Sequence, residues 1–358
     1  MGTMRVVVNL AQSLSALEHT ETMLFTPQRF RHSFHGTERI QHGNLKIYRI
    51  PYTSLVRAFR LKKEYHVVNI HGISFFNYMM GSRWFRPESV KTIYTVHGVI
   101  PLEKKYGYRY SPIKQWMEKR LVCRSDLITT VSEETKRLII DTYHILPEKI
   151  SVIGNGVDTR IFHPAATVAK ARKEGITRIL FVGSIVPIKG LDFLLASIDS
   201  VKNLPIVLHL VGNKTPYLDH LSKKYSSLFQ GQKVVYAGPV EQEKLMQYYS
   251  ESDFLVLTSE YDQYPQAVLE AFAMGKPAIV SDRVGVKIII EDGKDGFVVP
   301  FGDVEMLTEK IKLLAGNHGL CMKMGEYARR KAEKNSWMMI AKKYSALFHK
   351  INAKKIGS

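Results

Sequence analysis

Two carboxylates stand eight residues apart in the segment from Ser259 to Ala271, Asp262 first and Glu270 second. Pro265 lies between them and suits the first position of a helix, because its missing N–H would be unpaired there and its fixed φ already fits. We therefore predict a helix that starts at Pro265, with Asp262 on the preceding loop and Glu270 on the second turn. Free N–H groups at a helix start attract anions. Two carboxylates around such a start suit a ligand that carries both phosphate and hydroxyl groups.

The same segment has a plainer interpretation, in which Asp262 is an ordinary loop residue and Glu270 is a solvated helix residue. The helix is expected in both cases, because apolar residues at 268, 269, 272 and 273 form a stripe and Gly275 with Pro277 supplies a stop. The spacing of the carboxylates alone leaves both interpretations open.

A lysine that could neutralise phosphate lies further upstream. The loop runs from Gly183 to Gly190 and carries Lys189 near its end. Glycine lets the backbone approach a ligand closely, and a lysine at the carboxyl end of a strand can neutralise a phosphate group. A loop lysine is often merely solvated, so this segment gains weight only from its order relative to the others.

Short apolar strands alternate with amphipathic helices from Tyr65 onward, which predicts parallel sheets with helices on their faces. The predicted strands are 66–72, 91–98, 127–131, 178–183, 206–212, 233–238, 254–257 and 278–280. Helices are predicted over 113–122 and 191–198, and another begins after Ser132 as its N-cap. Ligands of such sheets bind beyond the carboxyl ends of the strands, where the two candidate loops lie.

The chain is long enough for two domains, since 358 residues exceed the size at which a single core usually stops growing. The alternation of strands and helices pauses in a polar stretch from Asn155 to Thr177 and then resumes. The predicted fold is α/β with two doubly wound domains. The predicted boundaries are 1–157 for the first domain, 158–335 for the second and 336–358 for a final helix.

The start of the chain departs from this pattern. No glycine occurs between Gly2 and Gly36, so the strand and Gly-rich turn that usually open a nucleotide-binding unit are not found in this stretch. Apolar residues at helical spacing between residues 6 and 17 predict an opening helix, followed by a strand over 21–26. A competing interpretation takes Arg5 to Val8 as the first strand, because β-branched residues favour one.

Composition limits the classes of protein that the chain can belong to. No run approaches the roughly 18 apolar residues that span a bilayer, and no secretion signal is evident, so we expect a cytoplasmic protein. The chain has two cysteines, Cys123 and Cys321, which are too far apart in sequence to indicate a disulfide framework or a cysteine metal site. We expect both to be buried thiols.

The charge is strongly positive and unevenly distributed. The net charge is +18, and residues 1–150 contain 23 Lys and Arg against 12 Asp and Glu. A basic surface can meet nucleic acid, an anionic membrane or an acidic substrate, or it can simply keep the protein soluble. The sequence has no zinc-finger spacing, ribonucleoprotein motif or aromatic-basic repeat, which argues against nucleic acid.

Four motifs follow one another in an order typical of one family. They are Asn155 to Asp158, Val182 to Gly190, Asp262 to Ala271, and Asp292 to Val299. Together they resemble the retaining glycosyltransferases of family 4, and the resemblance covers nearly the whole chain. It implies the GT-B architecture, in which two Rossmann-like, doubly wound domains face each other across a cleft. It also implies that a final helix after Ser336 returns to the first domain.

The resemblance implies the substrates as well. A nucleotide-diphosphate sugar, UDP- or GDP-linked, is bound mainly by the second domain, and its sugar passes to an acceptor hydroxyl with retention of configuration. No cofactor and no metal are needed in the family, because positive groups and helix dipoles stabilise the leaving diphosphate. The acceptor is expected to be a sugar, a lipid-linked group or a phosphorylated compound. The basic first domain suggests peripheral contact with an anionic membrane, at the inner face of the cell membrane.

Several residues take roles from the resemblance. Glu270 resembles the acidic residue that binds the donor ribose, and Asp262 stands where the family normally has Glu against the sugar hydroxyls. Lys189 matches the phosphate-binding lysine. Gly183 opens the same loop, and Ser184 replaces the companion arginine.

The remaining matches lie on loops of both domains. The loop whose backbone amides approach the sugar and the β-phosphate is matched by Gln263, Tyr264 and Pro265. Val240 lies in a turn that resembles the one cupping the nucleotide base. His97 resembles a family histidine that lines the donor-sugar pocket near the reacting carbon, and His71 occupies a similar strand end.

The sequence supports three hypotheses. The first is a nucleotide-sugar-dependent glycosyltransferase. The second is a binding or scaffolding protein that keeps the fold without catalysis, motivated by Ser184 and by the missing Gly-rich turn. The third, a nucleic-acid protein, predicts binding that falls steeply with salt concentration.

Overall fold

The computed structural model of the chain describes residues 2–17, 22–27, 38–42, 45–50, 66–81, 89–164 and 175–353. The chain divides into two compact units. Unit 1 consists of residues 1–156 and 337–358, and unit 2 consists of residues 157–336. Each boundary lies one residue from the predicted position.

Unit 1 opens on helix α1 (Gly2–Ser15), so the alternative of an opening strand at residues 5–8 is wrong. A small sheet follows, in which β1 runs parallel to β3 and β2 runs antiparallel to β3. Its strands are β1 (Thr22–Pro27), β2 (Glu38–His42) and β3 (Leu45–Ile50). The first of them matches the predicted strand, whereas the other two were not predicted.

A second sheet of unit 1 holds four parallel strands in chain order. The strands are β4 (Val67–His71), β5 (Lys91–Val96), β6 (Leu127–Thr130) and β7 (Ile150–Val152). The helices are α2 (Phe75–Gly81), α3 (Ile100–Lys105), α4 (Pro112–Arg124) and α5 (Glu133–Tyr143). Ser132 caps α5 as predicted, because its hydroxyl accepts the Thr135 N–H at 3.1 Å.

Unit 2 is built on one six-stranded parallel sheet. Its strands are β8 (Thr177–Val182), β9 (Ile206–Val211), β10 (Val234–Gly238), β11 (Phe254–Leu257), β12 (Ala278–Ser281) and β13 (Gly296–Val299). Its helices are α6 (Leu191–Ser200), α7 (Pro216–Lys224), α8 (Ser226–Gln230), α9 (Gln242–Glu251), α10 (Gln266–Ala273), α11 (Val304–Ala315) and α12 (His318–Lys334). Single turns of 3₁₀ helix cover Pro147–Lys149 in unit 1, and Pro187–Lys189 and Gly285–Ile289 in unit 2.

The strand order of unit 2 is β10-β9-β8-β11-β12-β13, which is the doubly wound order predicted for it. The chain builds outward from β8 to one edge and then starts again beside β8 with β11. Every residue of β11 and of β12 is buried, as expected for parallel strands covered on both faces. Among the described strands of unit 1 the order does not reverse in this way.

The last helix, α13 (Trp337–Ala353), belongs to unit 1. Its buried face packs against α1, where Leu10 meets a cluster that includes Trp337 and Tyr344. Gly156 packs against the first residue of this helix, and a Cβ at that position would be 2.8 Å from the Trp337 Cα. Glycine is therefore required where the chain leaves unit 1, beside the residue at which it returns.

The cysteines are only partly as predicted. Cys321 is buried and its thiol donates to the Leu314 carbonyl at 3.3 Å, whereas Cys123 is exposed near the end of α4. The prediction for Cys123 is wrong because the buried face of α4 is formed by Met117, Leu121 and Val122. No helix in the described ranges is both long and apolar enough to cross a membrane.

Candidate functional site

The first candidate site lies where the strand order of unit 2 reverses. β8 pairs with β9 on one side and with β11 on the other. In open parallel sheets, ligands bind in the crevice that such a reversal leaves beyond the carboxyl ends of the strands. Lys189 lies on the loop after β8, and Asp262 lies on the loop after β11. The sheet therefore brings together two residues that are 73 positions apart in the sequence.

Lys189 and Asp262 form an ion pair through Nζ and Oδ2. Their side chains are 20% and 21% exposed, so solvent reaches the pair. A charge-assisted hydrogen bond of this kind holds both side chains in one arrangement. Each group has chemistry that suits a ligand, because the ammonium can bind a phosphate and the carboxylate can accept hydroxyl hydrogens.

Hydrogen bonds between the two loops fix the backbone around this pair. Thr258 Oγ1 donates to the Gly190 carbonyl at 2.9 Å. The Glu260 N–H donates to the Ile188 carbonyl at 2.8 Å. Gly190 has a φ of +64°, and a Cβ there would lie 1.9 Å from the Thr258 carbonyl oxygen. Only glycine fits this position, which explains the second glycine of the motif.

A third loop, after β12, holds Asp262 from the other side. The Gly285 N–H donates to the Asp262 carbonyl at 2.8 Å, and Asp262 forms a single bridge with Val284. Lys287 lies on the same loop and directs its Nζ to the Asp282 carbonyl. Asp262 lies on the loop after β11. The loops after β8 and β12 each bond it, through Lys189 and Gly285.

The helix after Asp262 begins one residue later than predicted. α10 starts at Gln266, and Pro265 is its N-cap with φ of −63° and ψ of 122°. The φ of proline fits a helix, but this extended ψ excludes Pro265 from the helix and places it in the half-in position. Glu270 nevertheless falls on the second turn, as predicted.

Glu270 is buried, with 5% of its surface exposed, so its interpretation as a solvated helix residue is wrong. The hydroxyl of Tyr249 on α9 donates to Glu270 Oε2 at 2.9 Å. A carboxylate removed from water needs such donors, because burying an unpaired charge is costly. Tyr249 is itself fully buried and therefore fixes the orientation of the carboxylate. This partner was not predicted, since Tyr249 lies outside every motif.

The residues between the two carboxylates are turned inward. Gln263 and Tyr264 are 9% and 7% exposed, and Pro265 is buried as well. Gln263 Nε2 donates to the Tyr261 hydroxyl. Burial raises the pKa of the Tyr264 phenol, which stays protonated. With the side chains buried, the backbone is the part of this loop that can meet a ligand.

Two buried polar groups next to this loop have no hydrogen-bond partner within the described residues. They are Gln266 Nε2 at the start of α10 and Ser259 Oγ after β11. Buried polar groups are normally paired, so an orphan marks a place where a ligand or a water completes the bonding. The sequence analysis assigned no role to either residue, because Gln and Ser beside a proline turn carry no distinctive spacing.

The other predicted donor residues lie along the same edge of the sheet. Gly183 and Ser184 follow β8 directly, and Val240 follows β10, two strands away. Ser184 is exposed and Val240 is half-buried. A Cβ at Gly183 would meet nothing closer than 3.7 Å, so packing within the protein does not require glycine there. Gly212 differs, because a Cβ there would lie 1.8 Å from the Gly183 carbonyl oxygen.

The second candidate site lies in unit 1, at the carboxyl ends of β4 and β5. His71 Nδ1 and His97 Nε2 are 3.0 Å apart. Burial lowers the pKa of His97 to about 4, and burial together with the neighbouring His97 lowers the pKa of His71 well below its ordinary value. Both rings are therefore neutral at neutral pH, and one ring nitrogen donates to the other. The similar strand ends were predicted, but this hydrogen bond was not.

Both turns that carry these histidines are held by neighbouring side chains. Asn77 on α2 donates to the carbonyls of His71 and Gly72 at 2.8 and 3.1 Å. After His97, the carboxylate of Glu103 packs so closely on Gly98 that a Cβ there would lie 2.1 Å from its oxygen. The histidine pair therefore rests on two restrained turns.

A buried carboxylate supports the second of these turns. Glu118 on α4 has no exposed surface and accepts the Ile100 N–H at 3.1 Å and the Tyr143 hydroxyl. Burial is the largest cause that raises the pKa of Glu118 to about 7. Because Ile100 is the first residue of α3, Glu118 fixes the chain three residues after His97.

Metal ligands are not grouped in the described part of the chain, where no three His, Cys, Asp or Glu side chains could hold one ion. Cys123 and Cys321 are both free thiols. Independence of metal stays a prediction.

Two family models match the chain in succession. The model described as Glycosyltransferase Family 4 matches residues 2–161, and the model described as Glycosyl transferases group 1 matches residues 166–331. The first match falls on unit 1 and the second on unit 2, apart from a few residues at the junction. Between them they cover most of the chain.

Curated relatives share about a quarter of their residues with the matched part of the chain. Spore coat protein SA of Bacillus subtilis is 28% identical over 246 residues, which are 62% of this chain and 64% of that protein. A D-inositol 3-phosphate glycosyltransferase of Rhodococcus jostii is 27% identical over 269 residues, which are 71% of this chain and 59% of that protein. The chain thus spans less than two thirds of the length of these relatives.

Solved structures share the fold. Sucrose-phosphate synthase from Thermosynechococcus elongatus aligns with a TM-score of 0.79 at 19% identity, over 97% of this chain and 93% of that one. HepE of Anabaena, solved in complex with UDP, aligns with a TM-score of 0.69 at 18% identity, over 83% and 82% of the two chains. The predicted GT-B fold is confirmed by these likenesses. With this fold and with both family models matched in order, the chain belongs to the family 4 glycosyltransferases.

Proposed function

We propose that the protein is a glycosyltransferase that moves a hexose from a nucleotide-diphosphate sugar to an acceptor hydroxyl, with retention of configuration and without a metal ion. The observation that carries the proposal is the convergence of Lys189, Asp262 and the start of α10 where the strand order of unit 2 reverses. A cation, a carboxylate and a helix N-terminus beside one crevice suit a ligand made of a diphosphate and a sugar. HepE, which shares the fold, is solved with UDP, so a UDP-linked donor is tried first and a GDP-linked donor second.

The diphosphate is assigned to the cationic side of the crevice. Lys189 would exchange Asp262 for a phosphate oxygen, and the backbone N–H groups at the start of α10 would add their dipole. Gln266 Nε2, which is buried without a partner among the described residues, would donate to the same group or to the sugar. Gly183 has no side chain at the end of β8, so the ligand would be able to approach the backbone there.

The sugar and the ribose are assigned to the two carboxylates. Once Lys189 turns to the phosphate, Asp262 has a free oxygen for sugar hydroxyls. Glu270 would bind the ribose hydroxyls in the orientation that the Tyr249 hydroxyl imposes on it. A carboxylate fixed by a buried partner loses little further freedom on binding, which favours affinity.

The reaction breaks two bonds, one from the anomeric carbon to the phosphate oxygen and one in the acceptor hydroxyl, and forms two. The bond between the anomeric carbon and the β-phosphate oxygen breaks, and the acceptor oxygen bonds to the same face of that carbon. The acceptor proton passes to the leaving phosphate oxygen, so no protein nucleophile is needed. Lys189 and the α10 N-terminus stabilise the charge that develops on the diphosphate. For unit 1 we assign His97 to contact with the substrates during transfer, in its neutral form.

The test is a thermal-shift panel of UDP- and GDP-linked sugars, followed by hydrolysis of the best donor. A ligand that binds only the folded state stabilises it, by about 2.7 kcal/mol when its concentration is a hundred times Kd. The melting temperature therefore rises. Slow hydrolysis releases nucleoside diphosphate and needs no acceptor. Hydrolysis that persists with a chelator supports metal independence. Release of the sugar as its α-anomer from an α-linked donor, observed before mutarotation, supports retention. No shift with any donor overturns the proposal.

The second candidate is a protein that binds the donor without transferring its sugar. It is favoured by Ser184, which stands exposed where the resemblance expects an arginine, so one positive charge for the diphosphate is missing. A thermal shift without any release of nucleoside diphosphate would select this candidate. Restoring the charge with Ser184→Arg would then be expected to tighten nucleoside diphosphate binding.

A further inference from the structure

Almost all of the net positive charge of the protein lies on unit 1. Unit 1 contains 28 Lys and Arg against 12 Asp and Glu, a net charge of +16. Unit 2 contains 23 against 21, a net charge of +2. Because unit 2 is nearly neutral, the charge cannot be explained as a general means of keeping the whole chain soluble.

Part of the positive charge of unit 1 lies around α3 and α4. Residues 100–125 contain seven Lys and Arg and only two acidic residues, Glu103 and Glu118. Glu118 is fully buried. Glu103 accepts the Tyr110 hydroxyl at 2.6 Å and packs on Gly98. Glu118 is thus withdrawn from the surface, and the seven lysines and arginines of this segment outnumber the one half-buried acid, Glu103.

Large apolar side chains stand exposed among these cations. Ile113 is 67% exposed and Trp116 is 48% exposed. Ile113, Trp116 and Arg120 recur at positions i, i+3 and i+7 and therefore lie on one face of α4. The opposite face, with Leu121 and Val122, is buried in unit 1. α4 is thus apolar on two sides, and only one of them is covered by the protein.

The exposed side of α4 is ordered by its neighbours. One edge of the Trp116 ring packs near Tyr78, with ring centroids 5.2 Å apart, and the guanidinium of Arg120 lies 5.2 Å from the Trp116 ring centroid. Lys104 Nζ at the end of α3 bonds Gln115 Oε1 at 2.6 Å, so a further cation stands beside the first turns of α4. We call the surface formed by Lys104, Ile113, Lys114, Trp116, Lys119 and Arg120 the α4 face.

We propose that the α4 face docks on the surface of an anionic phospholipid bilayer. Tryptophan partitions to the boundary between headgroups and acyl chains, and an aliphatic residue beside it buries in the same layer. Lysine and arginine around them reach the headgroups with their charged ends while their stems stay apolar. Each cation near an anionic leaflet adds to the attraction. Nucleic acid would bind the cations of this face, but it would not bury an exposed isoleucine side chain.

Docking at this face would bring the histidine pair close to the membrane surface. α3 begins three residues after His97, and α4 is joined to α3 by a six-residue connection, residues 106–111. An acceptor held in the bilayer by a lipid would then be presented beside the strand end that carries His97. The docking itself does not rest on the proposed transferase activity, since it requires no donor.

The experiment is flotation of the full chain with vesicles of two compositions, pure phosphatidylcholine and equimolar phosphatidylcholine and phosphatidylglycerol. We expect recovery with the anionic vesicles only, and loss of recovery at high salt, because surface attraction is screened. The double variant Ile113→Ser, Trp116→Ser is expected to lower the partition coefficient at least roughly tenfold. Lys114→Gln, Lys119→Gln is expected to lower it at low salt and to lessen its dependence on salt.

Matched controls come from unit 2, where comparable side chains are exposed outside the α4 face. Leu313→Ser, Met322→Ser removes two apolar side chains that are 41% and 58% exposed. Lys312→Gln, Lys323→Gln removes two exposed lysines. Both controls are expected to float like the unmodified protein. Far-ultraviolet circular dichroism and the melting temperature check that every variant is folded.

Tryptophan fluorescence gives a second readout that does not depend on recovery. Trp116 is half-exposed and should shift to shorter wavelength when it enters the bilayer, whereas Trp337 is buried in unit 1. The shift is expected to disappear in Trp116→Ser. Equal recovery with both vesicles, or unchanged recovery of the Ile113→Ser, Trp116→Ser variant, overturns the proposal. Tight binding to a single-stranded RNA oligonucleotide that this variant retains, without vesicle binding, overturns it in favour of nucleic acid.

Discussion

The two candidate sites occupy the same place on their sheets but are built from opposite kinds of chemistry. In unit 2, the carboxyl ends of β8 and β11 carry an ion pair, Lys189 with Asp262. In unit 1, the carboxyl ends of β4 and β5 carry two histidines whose burial keeps them neutral. A fixed charge suits the binding of an anionic leaving group, whereas a neutral ring suits contact with reacting groups that gain positive character. Under the proposed function, unit 2 would bind the donor and unit 1 would act in the transfer.

Each unit also contains a buried glutamate that accepts a tyrosine hydroxyl, and the two differ in purpose. In unit 2 the Tyr249–Glu270 bond orients a carboxylate on the helix beside the candidate crevice. In unit 1 the Tyr143–Glu118 bond belongs to a carboxylate that also accepts the N–H at the start of α3, and so holds a turn. The same pair of residue types therefore orients a carboxylate near the candidate crevice in one unit and supports the backbone in the other.

The largest effect is expected from Glu270. Glu270→Ala should weaken donor binding roughly 100-fold, about 2.7 kcal/mol, because hydrogen bonds to a charged group are lost. The measurement is the Kd of the donor that gives the largest thermal shift. Ser184 and the other exposed positions are not expected to approach this effect.

Tyr249→Phe separates presentation from contact. It removes the hydroxyl that holds Glu270 Oε2 and keeps the ring in the core, so donor binding should weaken by less than in Glu270→Ala. Unchanged binding in Glu270→Ala would mean that this carboxylate does not meet the ribose. The assignment of donor binding to unit 2 would then have no support from Glu270.

The ion pair of unit 2 allows a test with opposite signs. Lys189→Ala should weaken binding of the free nucleoside diphosphate roughly 30-fold, about 2 kcal/mol, because the charge facing the phosphates is lost. Asp262→Asn should instead strengthen nucleoside diphosphate binding a few-fold, because Lys189 no longer has to leave a carboxylate. The same Asp262→Asn should weaken the complete nucleotide sugar relative to the diphosphate. Isothermal titration with both ligands measures all three effects.

The control for this test is an ion pair elsewhere in unit 2. Lys202 and Asp199 are 3.2 Å apart and about half exposed, and Asp199 lies near the carboxyl end of α6, away from the loop that carries Lys189. Lys202→Ala should leave both affinities unchanged. Equal losses for the diphosphate and the sugar nucleotide in Asp262→Asn would contradict the assignment of Asp262 to the sugar.

The sequence predicted the fold better than the supports of the site. Alternation of short apolar runs with helical stretches located five of the six strands of unit 2 within one or two residues, because parallel strands covered on both faces are apolar throughout. The sixth, β13, was not predicted as a strand. The strands β2 and β3 were missed because apolar residues are mixed with charged and polar residues between positions 38 and 50 and form no continuous run. β7 was missed because it has only three residues.

The hydrogen bonds of the site that the sequence did not predict join positions that are distant in the chain. Tyr249 meets Glu270 across 21 positions, and His71 meets His97 across 26. No local pattern encodes such a pair, since each partner satisfies the rules of its own helix or strand. The prediction that Pro265 is the first helical residue failed for a related reason, because proline fixes φ but leaves ψ to the tertiary structure.

The histidine pair predicts an effect on rate without an effect on donor affinity. His71→Phe removes the hydrogen bond to His97 Nε2 and should slow donor hydrolysis roughly tenfold, about 1.4 kcal/mol, with an unchanged donor Kd. His71→Gln can still bond His97 and should recover part of the rate. A change in Kd as large as the change in rate would break the comparison, because unit 1 would then contribute to donor binding. Loss in both variants alike would assign His71 to packing only.

The smallest effect concerns Glu118 and stability. Its pKa is raised from 4.5 to about 7 in the folded protein, so the protonated form is favoured by folding. The stabilisation from this group is complete below pH 4.5 and is lost as the pH rises through 7, about 1 kcal/mol of it between pH 6 and 7. The histidines act in the opposite direction, since their lowered pKa values destabilise the fold as the pH falls. Glu118→Gln keeps an acceptor for Ile100 and Tyr143 but cannot titrate, so its melting temperature should rise relative to the unmodified protein over this interval. A constant difference between the two melting temperatures would show that Glu118 is ionised throughout, and that burial in unit 1 does not keep its carboxylate neutral.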